Sequence, residues 1–297
     1  MVKIFSYVIY KILRFFNILF FKITNKSFLI WFSEFLEKDC YKNLNILNKN
    51  IRFFAPNYIT NQLVDEFLTR EPETIEWINS FKESGNKIIF WDIGAHIGIY
   101  SIYAALKHSN IDVISFEPST SNLRILSRNI AINKLEEKIK INQFPLSNKE
   151  NKYSIFREEK FIEGTTYHMW GENFNFEGKT FAPANSYKIY GTSINYLLDN
   201  KILEIPDYIK IDVDGIEHLI LEGSSKYLKD SKIKSLSIEL NGKFEKQIDT
   251  VFKIMKENNF SLKQKKRAEY LKDYKDFRNE KIYNYVFEKK KVNTSGS

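Results

Sequence analysis

"IIFWDIGAHIGIYSIYAAL" occupies residues 88–106. An apolar run ends in Asp92, a glycine-bearing turn follows, and then comes an apolar segment of helical length. A short apolar run bounded by a turn reads as a buried strand. Strand, glycine turn and helix in this order commonly hold a nucleotide at the carboxyl end of the strand. Gly94 lets the backbone turn sharply and approach a ligand without a Cβ clash.

Working outward, the alternation continues. "DVISFEP" reads as a second strand, "STSNLRILSRNIAIN" as a second helix with Ser119 at its N-cap, and "KIKINQFPLS" as a third strand. Further on come the short helix "SINYLLDN", the strand "DYIKIDVDG", the segment "IEHLILEGSSKYL", the strand "IKSLSIELN" and the helix "FEKQIDTVFKIMKENN". "FSLKQKKR" and "KIYNYVFEK" read as a closing strand pair whose last member runs antiparallel. Such alternation predicts an α/β fold with a doubly wound, mostly parallel sheet. It is interrupted at 157–191, a stretch without clear periodicity and rich in Gly, Asn and aromatic residues. An insertion of this kind in a compact domain often shapes a binding site.

Upstream, "EPETIEWINSF" predicts a helix with proline and acids in its first turn, and "NIRFFAPN" a short strand ending in a turn. The first 36 residues are apolar, but charges interrupt them so often that no uncharged run exceeds seven residues. A simple membrane span and a secretory signal are therefore not expected. At about 100° per residue, Lys3, Lys11, Arg14, Lys22 and Lys26 gather on one side, with Ile12, Phe16 and Leu19 on the other. This predicts a basic amphipathic helix, broken near "TNKS". It has two readings: peripheral contact of residues 1–30 with an anionic membrane, or packing of its apolar face on the domain or on a partner subunit. The expected organisation is a helical extension over 1–70, a catalytic domain over 71–290 and a flexible tail over 291–297.

The chain has 297 residues, 43% hydrophobic and 15% aromatic, enough for one sizeable core. A net charge of +8 suits an anionic partner without choosing one. Cys40 is the single cysteine, so no internal disulfide and no cysteine-based zinc site can form, and a cytoplasmic location is expected.

The chemistry of the first turn narrows the ligand. "DIGAHIG" lacks the third glycine of a dinucleotide fingerprint, and no G-K-[ST] supports a P-loop. An acid at the strand tip would repel a pyrophosphate, yet Asp92 suits an ammonium group. Glu117 ends the next strand, where an acid typically accepts the ribose hydroxyls. An amino-acid end beside an adenosine describes S-adenosylmethionine. The candidate cofactor-binding residues are Asp92, Gly94, Ala95, His96, Gly98, Glu117, Pro118 and Ser119, with His96 expected to act through its backbone.

A second constellation sits in "YIKIDVDGIEHLILEG". Strand alternation puts Lys210 and Asp212 on one side and Ile209, Ile211 and Val213 on the other. Asp212, Asp214, Glu217 and His218 are the candidate catalytic residues, one of them a general base for a hydroxyl proton. A divalent cation held with Glu239 or Asn241 is a less favoured alternative. A third reading makes Asp214 a turn residue and lets Glu217 and His218 cap a helix.

"EPETIEWI", "FWDIGAHIGIYSIYAA", "SFEPSTSNLRILSRNIAIN", "FPLSN" and "IPDYIKIDVDGIEHLILEGS...LSIELN" together resemble the FkbM family of S-adenosylmethionine-dependent methyltransferases. The likeness covers about residues 70–241, and its acidic block is more distinctive than its glycine turn. It implies a Rossmann-like class I methyltransferase fold with an antiparallel last strand. It also implies O-methylation, often of a sugar hydroxyl in a surface polysaccharide or natural product. Asp92, Gly94 and Gly98 match the family's cofactor turn, Glu117 its ribose acid, and Asp212, Asp214 and Glu217 its acidic block. Two departures stand out. His96 replaces the usual Asn, and Ser193-Ile194-Asn195 lacks the acid usual in that segment.

The expected partner is therefore a glycan or glycolipid acceptor. Aromatic residues of the insertion would stack on sugar rings, and the N-terminal helix would keep the enzyme at the inner membrane surface. A nicotinamide oxidoreductase and a non-catalytic glycan- or membrane-binding module are the alternatives. No block typical of nucleic-acid methylation is visible.

Overall fold

The computed structural model describes residues 1–82, 85–180, 182–267 and 281–290, so the expected tail 291–297 lies outside the described residues. Two helices, α1 (Val2–Thr24) and α2 (Leu29–Asp39), lead into a hairpin of β1 (Tyr41–Ile46) and β2 (Lys49–Phe54). Then come α3 (Tyr58–Asp65), α4 (Pro72–Asn79), β3 (Ile88–Ile93), α5 (Ile99–Lys107), β4 (Ile111–Phe116), α6 (Thr120–Ile132) and β5 (Ile139–Asn142). β6 (Lys152–Glu158) follows and runs into the expected insertion 157–191, which itself contributes β7 (His168–Trp170) and β8 (Asn185–Gly191). The chain closes with α7 (Ile194–Asp199), β9 (Tyr208–Ile211), α8 (Glu217–Glu222), β10 (Ser235–Asn241), α9 (Glu245–Glu257), β11 (Phe260–Lys266) and β12 (Ile282–Lys289).

Every residue of β3 is buried, because β3 lies in the middle of a seven-stranded sheet of order β11-β12-β10-β9-β3-β4-β5. β12 runs antiparallel between β10 and β11, and the strands from β10 to β5 are parallel to one another. The alternation of β3 divides its side chains between two cores. Ile88 and Phe90 join α4, α5 and α6 on one face, and Ile89, Trp91 and Ile93 join α7, α8 and α9 on the other. Each face buries a continuous apolar cluster, which is the main stabilising term of such a layered fold.

The segment expected as a helical extension is only partly so. Beyond α2, the hairpin and α3 bury Phe53, Phe54, Leu63, Val64 and Phe67 in the same core as α5 and α6. Two asparagines of α6 satisfy the free edge of β2: Phe54 N–H donates to Asn129 at 2.8 Å and Arg52 N–H to Asn133 at 2.9 Å. The insertion is ordered as a three-stranded antiparallel sheet, β7-β6-β8. Its irregular links carry the Gly and Asn residues that masked its periodicity.

At the N-terminus, the expected break falls at Asn25, a left-handed residue that ends α1. α1 is continuous through its charges. By length and composition alone it is apolar enough to cross a membrane, a test that signal sequences also pass. Neither α1 nor α2 has a buried residue, so α1 does not bury its apolar face on this chain's own domain, and the partner-subunit form of that reading is not touched by this observation.

Candidate active site

Sheet register builds the site. Ser115, Asp92, Lys210 and Ser237 are cross-strand neighbours on β4, β3, β9 and β10, forming a polar row across the face that meets α5. One pleat period further, at the carboxyl ends, stand Glu117, Gly94, Asp212 and Glu239. The second row opens into a cavity of about 490 Å³, within the usual range for ligand sites. Arg70 and Glu71, from the start of α4, and Tyr100 of α5 also line it. The insertion supplies a further wall with Phe156, Thr165, Tyr167, His168 and Trp170.

Glu117 ends β4 with both carboxyl oxygens engaged by backbone. One accepts the His96 N–H and the other the Ser119 N–H, each at 2.8 Å. Each oxygen keeps a lone pair for a further donor. Burial pushes the Glu117 carboxyl up to about 8, only partly offset by these two bonds. His96 takes the left-handed conformation, φ 56°, which aims its N–H at Glu117. Its Nε2 is buried without a hydrogen-bond partner among the described residues, and burial lowers the imidazole to about 4. It is therefore neutral at pH 7.

Gly94 has φ +86°, and a Cβ there would lie 1.8 Å from the Asp212 carbonyl oxygen. The turn of β3 and the tip of β9 are thus pressed together backbone to backbone. Gly98, φ +91°, is needed for packing instead, since a Cβ would meet Leu126 Cδ1 at 2.6 Å. Ala95, His96 and Pro118 line the cavity with Gly94 and Glu117, whereas Asp92, Gly98 and Ser119 do not.

Asp92 lies one pleat period inward of the cavity-lining row. Its position in the alternation turns it toward α5, where it accepts the Ser101 hydroxyl at 2.6 Å. Ser101 also pairs with Ser115 at 2.7 Å. Asp92 thus ties strand to helix through one carboxyl oxygen, while its Oδ1 is buried with no hydrogen-bond partner among the described residues. Ser119 stands at the N-cap of α6, but its hydroxyl donates to Glu158 at 2.7 Å instead of accepting from the helix. That bond fastens the inserted sheet to the cofactor corner.

The acidic block divides likewise. Asp212 and Asp214 line the cavity; Glu217 and His218 do not. Glu217 is consumed by structure: it accepts the N–H groups of Val213 and Gly215 and, at 2.6 Å, the Gln247 side chain. His218 lies edge-on to Phe244. Asp214 has φ 63° and accepts the Tyr167 N–H at 2.8 Å. Burial, reinforced by the Asp212 charge, pushes the Asp214 carboxyl up to about 7.

Lys210, 2% exposed, is the buried cation of this network, 2.6 Å from Asp212. Burial would lower its pKa, but Asp212, Glu71 and Asp92 more than compensate, and the net shift is upward. Burial raises Glu71 and Glu239, the latter strongly. Carboxylate oxygens of Glu71, Asp212 and Glu239 lie within 4.8 Å of one another, a spacing open to a divalent ion. Lys210 already brings a cation to that cluster. Lys210, Glu71 and Tyr100 were not singled out in the sequence. A lysine inside an apolar strand was the available signal for the first; for the other two, whose neighbours are remote in sequence, there was none.

A parallel sheet closed by one antiparallel strand, with a ribose-type acid on the strand after the glycine turn, defines a Rossmann-like class I methyltransferase. The family described as the methyltransferase FkbM domain matches residues 92–262, and the chain belongs to it. The methyltransferase sdnD of Sordaria araneosa is 26% identical over 185 residues, covering 56% of this chain and 71% of that protein. Among solved structures, a precorrin-6y C5,15-methyltransferase from Geobacter metallireducens shares 14% identity at a TM-score of 0.41, covering 74% of this chain and 87% of the other. An rRNA methylase from Streptococcus thermophilus shares 11% at 0.43, covering 74% and 95%. The fold assignment rests on strand order and the family match rather than on such distant likenesses.

The fold implies S-adenosylmethionine as methyl donor, and the residues present fit it. Glu117 offers two spare lone pairs to ribose hydroxyls, and Gly94 leaves its backbone open to the cavity. With Glu117 near 8 in the free protein, hydroxyl donation favours its ionised form, so binding at pH 7 is expected to release a proton. Affinity should then rise with pH up to about 8. Calorimetry in two buffers of different ionisation heat checks this; identical heats would contradict it.

Proposed function

We propose that this chain methylates a hydroxyl oxygen, on a sugar of a surface polysaccharide, lipopolysaccharide or other glycoconjugate. The observation that carries the reading is Asp214, a carboxyl that lines the cavity beside Tyr167 and His168 and that burial and the Asp212 charge push up to about 7. S-adenosylmethionine, when bound, supplies an electrophilic methyl group on a sulfonium. The chain then has two tasks, to align the acceptor oxygen and to take its proton. Asp214 is the base in this reading, because its pKa lies near the working pH and the Tyr167 N–H fixes its orientation. Asp212, held by Lys210, is a positioning carboxylate with its charge already paired. Tyr167, His168 and Trp170 supply ring faces and an imidazole against which a sugar can lie. No feature of the cavity favours the oxidoreductase reading, which lacks its glycine fingerprint.

Asp214→Asn keeps shape and removes the base. It is expected to cut kcat by about 10²- to 10⁴-fold with little change in cofactor affinity. Comparing methyl ethers in surface glycans of cells with and without the gene, by mass spectrometry, tests the acceptor. Methylation that persists without the gene, or appears on nitrogen or carbon of another molecule, would sink the glycan reading.

A further inference from the structure

We infer that the α1–α2 hairpin is an interfacial lipid-docking device, which lays this enzyme on an anionic bilayer with its cavity held beside the surface. The hairpin is unpartnered but well defined. Asn17, in mid-α1, accepts from the Ser27 hydroxyl and from the N–H groups of Phe28 and Leu29, and so caps α2 at 2.9–3.3 Å. No residue of either helix is buried. Phe5, Ile12, Phe16 and Ile23 of α1 are each more than half exposed, as are Trp31 and Leu36 of α2. Apolar surface of this extent, with none of it covered, marks an interaction site.

Charge identifies the occupant. From Met1 to Ser33 the chain has Lys3, Lys11, Arg14, Lys22 and Lys26 and no acid at all. The four cations within α1 fall in an arc of roughly 100°, opposite Ile9, Ile12, Phe16 and Leu19. An uncompensated cationic stripe beside an apolar face matches anionic headgroups over acyl chains. A second copy of the chain would bring the same stripe and be repelled. The placement of the cations also decides between lying and spanning. α1 has 23 residues, about 35 Å, enough to cross a bilayer. Its midpoint, however, falls between Lys11 and Arg14, and a crossing helix would carry two cations at the bilayer centre, where they are costly.

The end of the hairpin is tied to the catalytic body by ion pairs. Glu37 near the end of α2 meets Arg124 at 2.7 Å and Arg128 at 2.5 Å, both on α6. Arg124 also bridges to Glu163, beside the cavity-lining Gly164 and Thr165, at 3.1 Å. The same α6 begins at the cofactor corner. Docking the hairpin therefore sets where the cavity meets the lipid surface, and a lipid-linked acceptor becomes the natural substrate class within the proposed function.

The test uses the full chain with phosphatidylcholine vesicles, without and with phosphatidylglycerol, in a flotation assay. Binding to the anionic vesicles is expected to exceed binding to the neutral ones at least tenfold and to weaken with salt. A Lys11→Glu/Arg14→Glu variant should lose that preference, and Phe16→Asp should weaken binding to both kinds of vesicle. Unchanged S-adenosylmethionine affinity in these variants shows that the body remains folded. Equal or absent binding to the two vesicles overturns the inference. So does resistance to alkaline carbonate extraction, which marks a spanning helix, or a hairpin-dependent dimer in light scattering. None of these readouts uses methyl transfer, so their failure leaves the proposed reaction standing.

Discussion

Gly94→Ala is expected to abolish S-adenosylmethionine binding, with affinity falling at least 100-fold. The added Cβ would stand 1.8 Å from the Asp212 carbonyl oxygen and 2.8 Å from its carbon. Both are backbone atoms of β9's extension, so no side chain can swing away. The left-handed φ of +86° adds strain of about 1–2 kcal/mol for a residue with a Cβ. The turn must lift off β9, and the opening separates Glu117 from Asp212, which face the cavity from either side of Gly94. Equilibrium dialysis on the folded variant measures the loss. An affinity within a few-fold of the parent would mean that the contact between turn and strand tip does not shape the cofactor site.

Lys210→Met is expected to be the most destabilising single change in the site. The substitution keeps an unbranched chain in place and removes the buried cation that faces Asp212, Glu71 and Asp92. Removing one partner of a buried ion network costs about 3–5 kcal/mol, which lowers Tm on the order of 10 °C. The sign with pH is fixed by the acids left behind. Burial already raises the folded pKa of Glu71, Asp92 and Glu239. Losing Lys210 raises these further, so the added penalty is absent below the unfolded carboxyl pKa of about 4 and grows as pH rises. Thermal melts at about pH 5 and pH 8 should therefore separate parent and variant more at the higher value. Parallel curves would show that Lys210 is not the counterion of this cluster.

The sheet was legible because burial imposes a pattern. β3 and β9 are short apolar runs with polar residues only near their ends, and each is followed by a turn and a helix. The cofactor corner was legible for the same reason: glycine and acid at strand ends are local features. What failed to show was orientation at the level of single side chains. Asp92 and Glu117 look equivalent in sequence, one acid near each of two strand ends. In the register Glu117 lies two residues beyond Asp92 on the same face, so Asp92 stays under α5 against Ser101 while Glu117 clears the strand end and reaches the cavity. Glu217 looked catalytic because it stands among acids, yet its position at the start of α8 binds it to the turn that precedes it. The insertion was opaque because its strands are held by partners far away in sequence, as in the pairing of Lys152 with Gly191. Irregular links between strands leave no period to detect. Docking of the hairpin on α6 was hidden too, since the Glu37 contacts span 87 and 91 residues.

The cavity's two walls are carried by two different sheets. Glu117 and Gly94 are held by the parallel sheet and its own turns, whereas Tyr167, His168 and Trp170 arrive on one contiguous stretch folded as a sheet of its own. The two parts are joined by side-chain bonds at several points: Ser119 to Glu158, Asp214 to the Tyr167 N–H, Asn122 to Gly164 and Thr165, and Arg124 to Glu163. A change confined to that stretch therefore acts on the outer wall of the cavity, while Glu117 and Gly94 keep the backbone partners that their own strand ends supply.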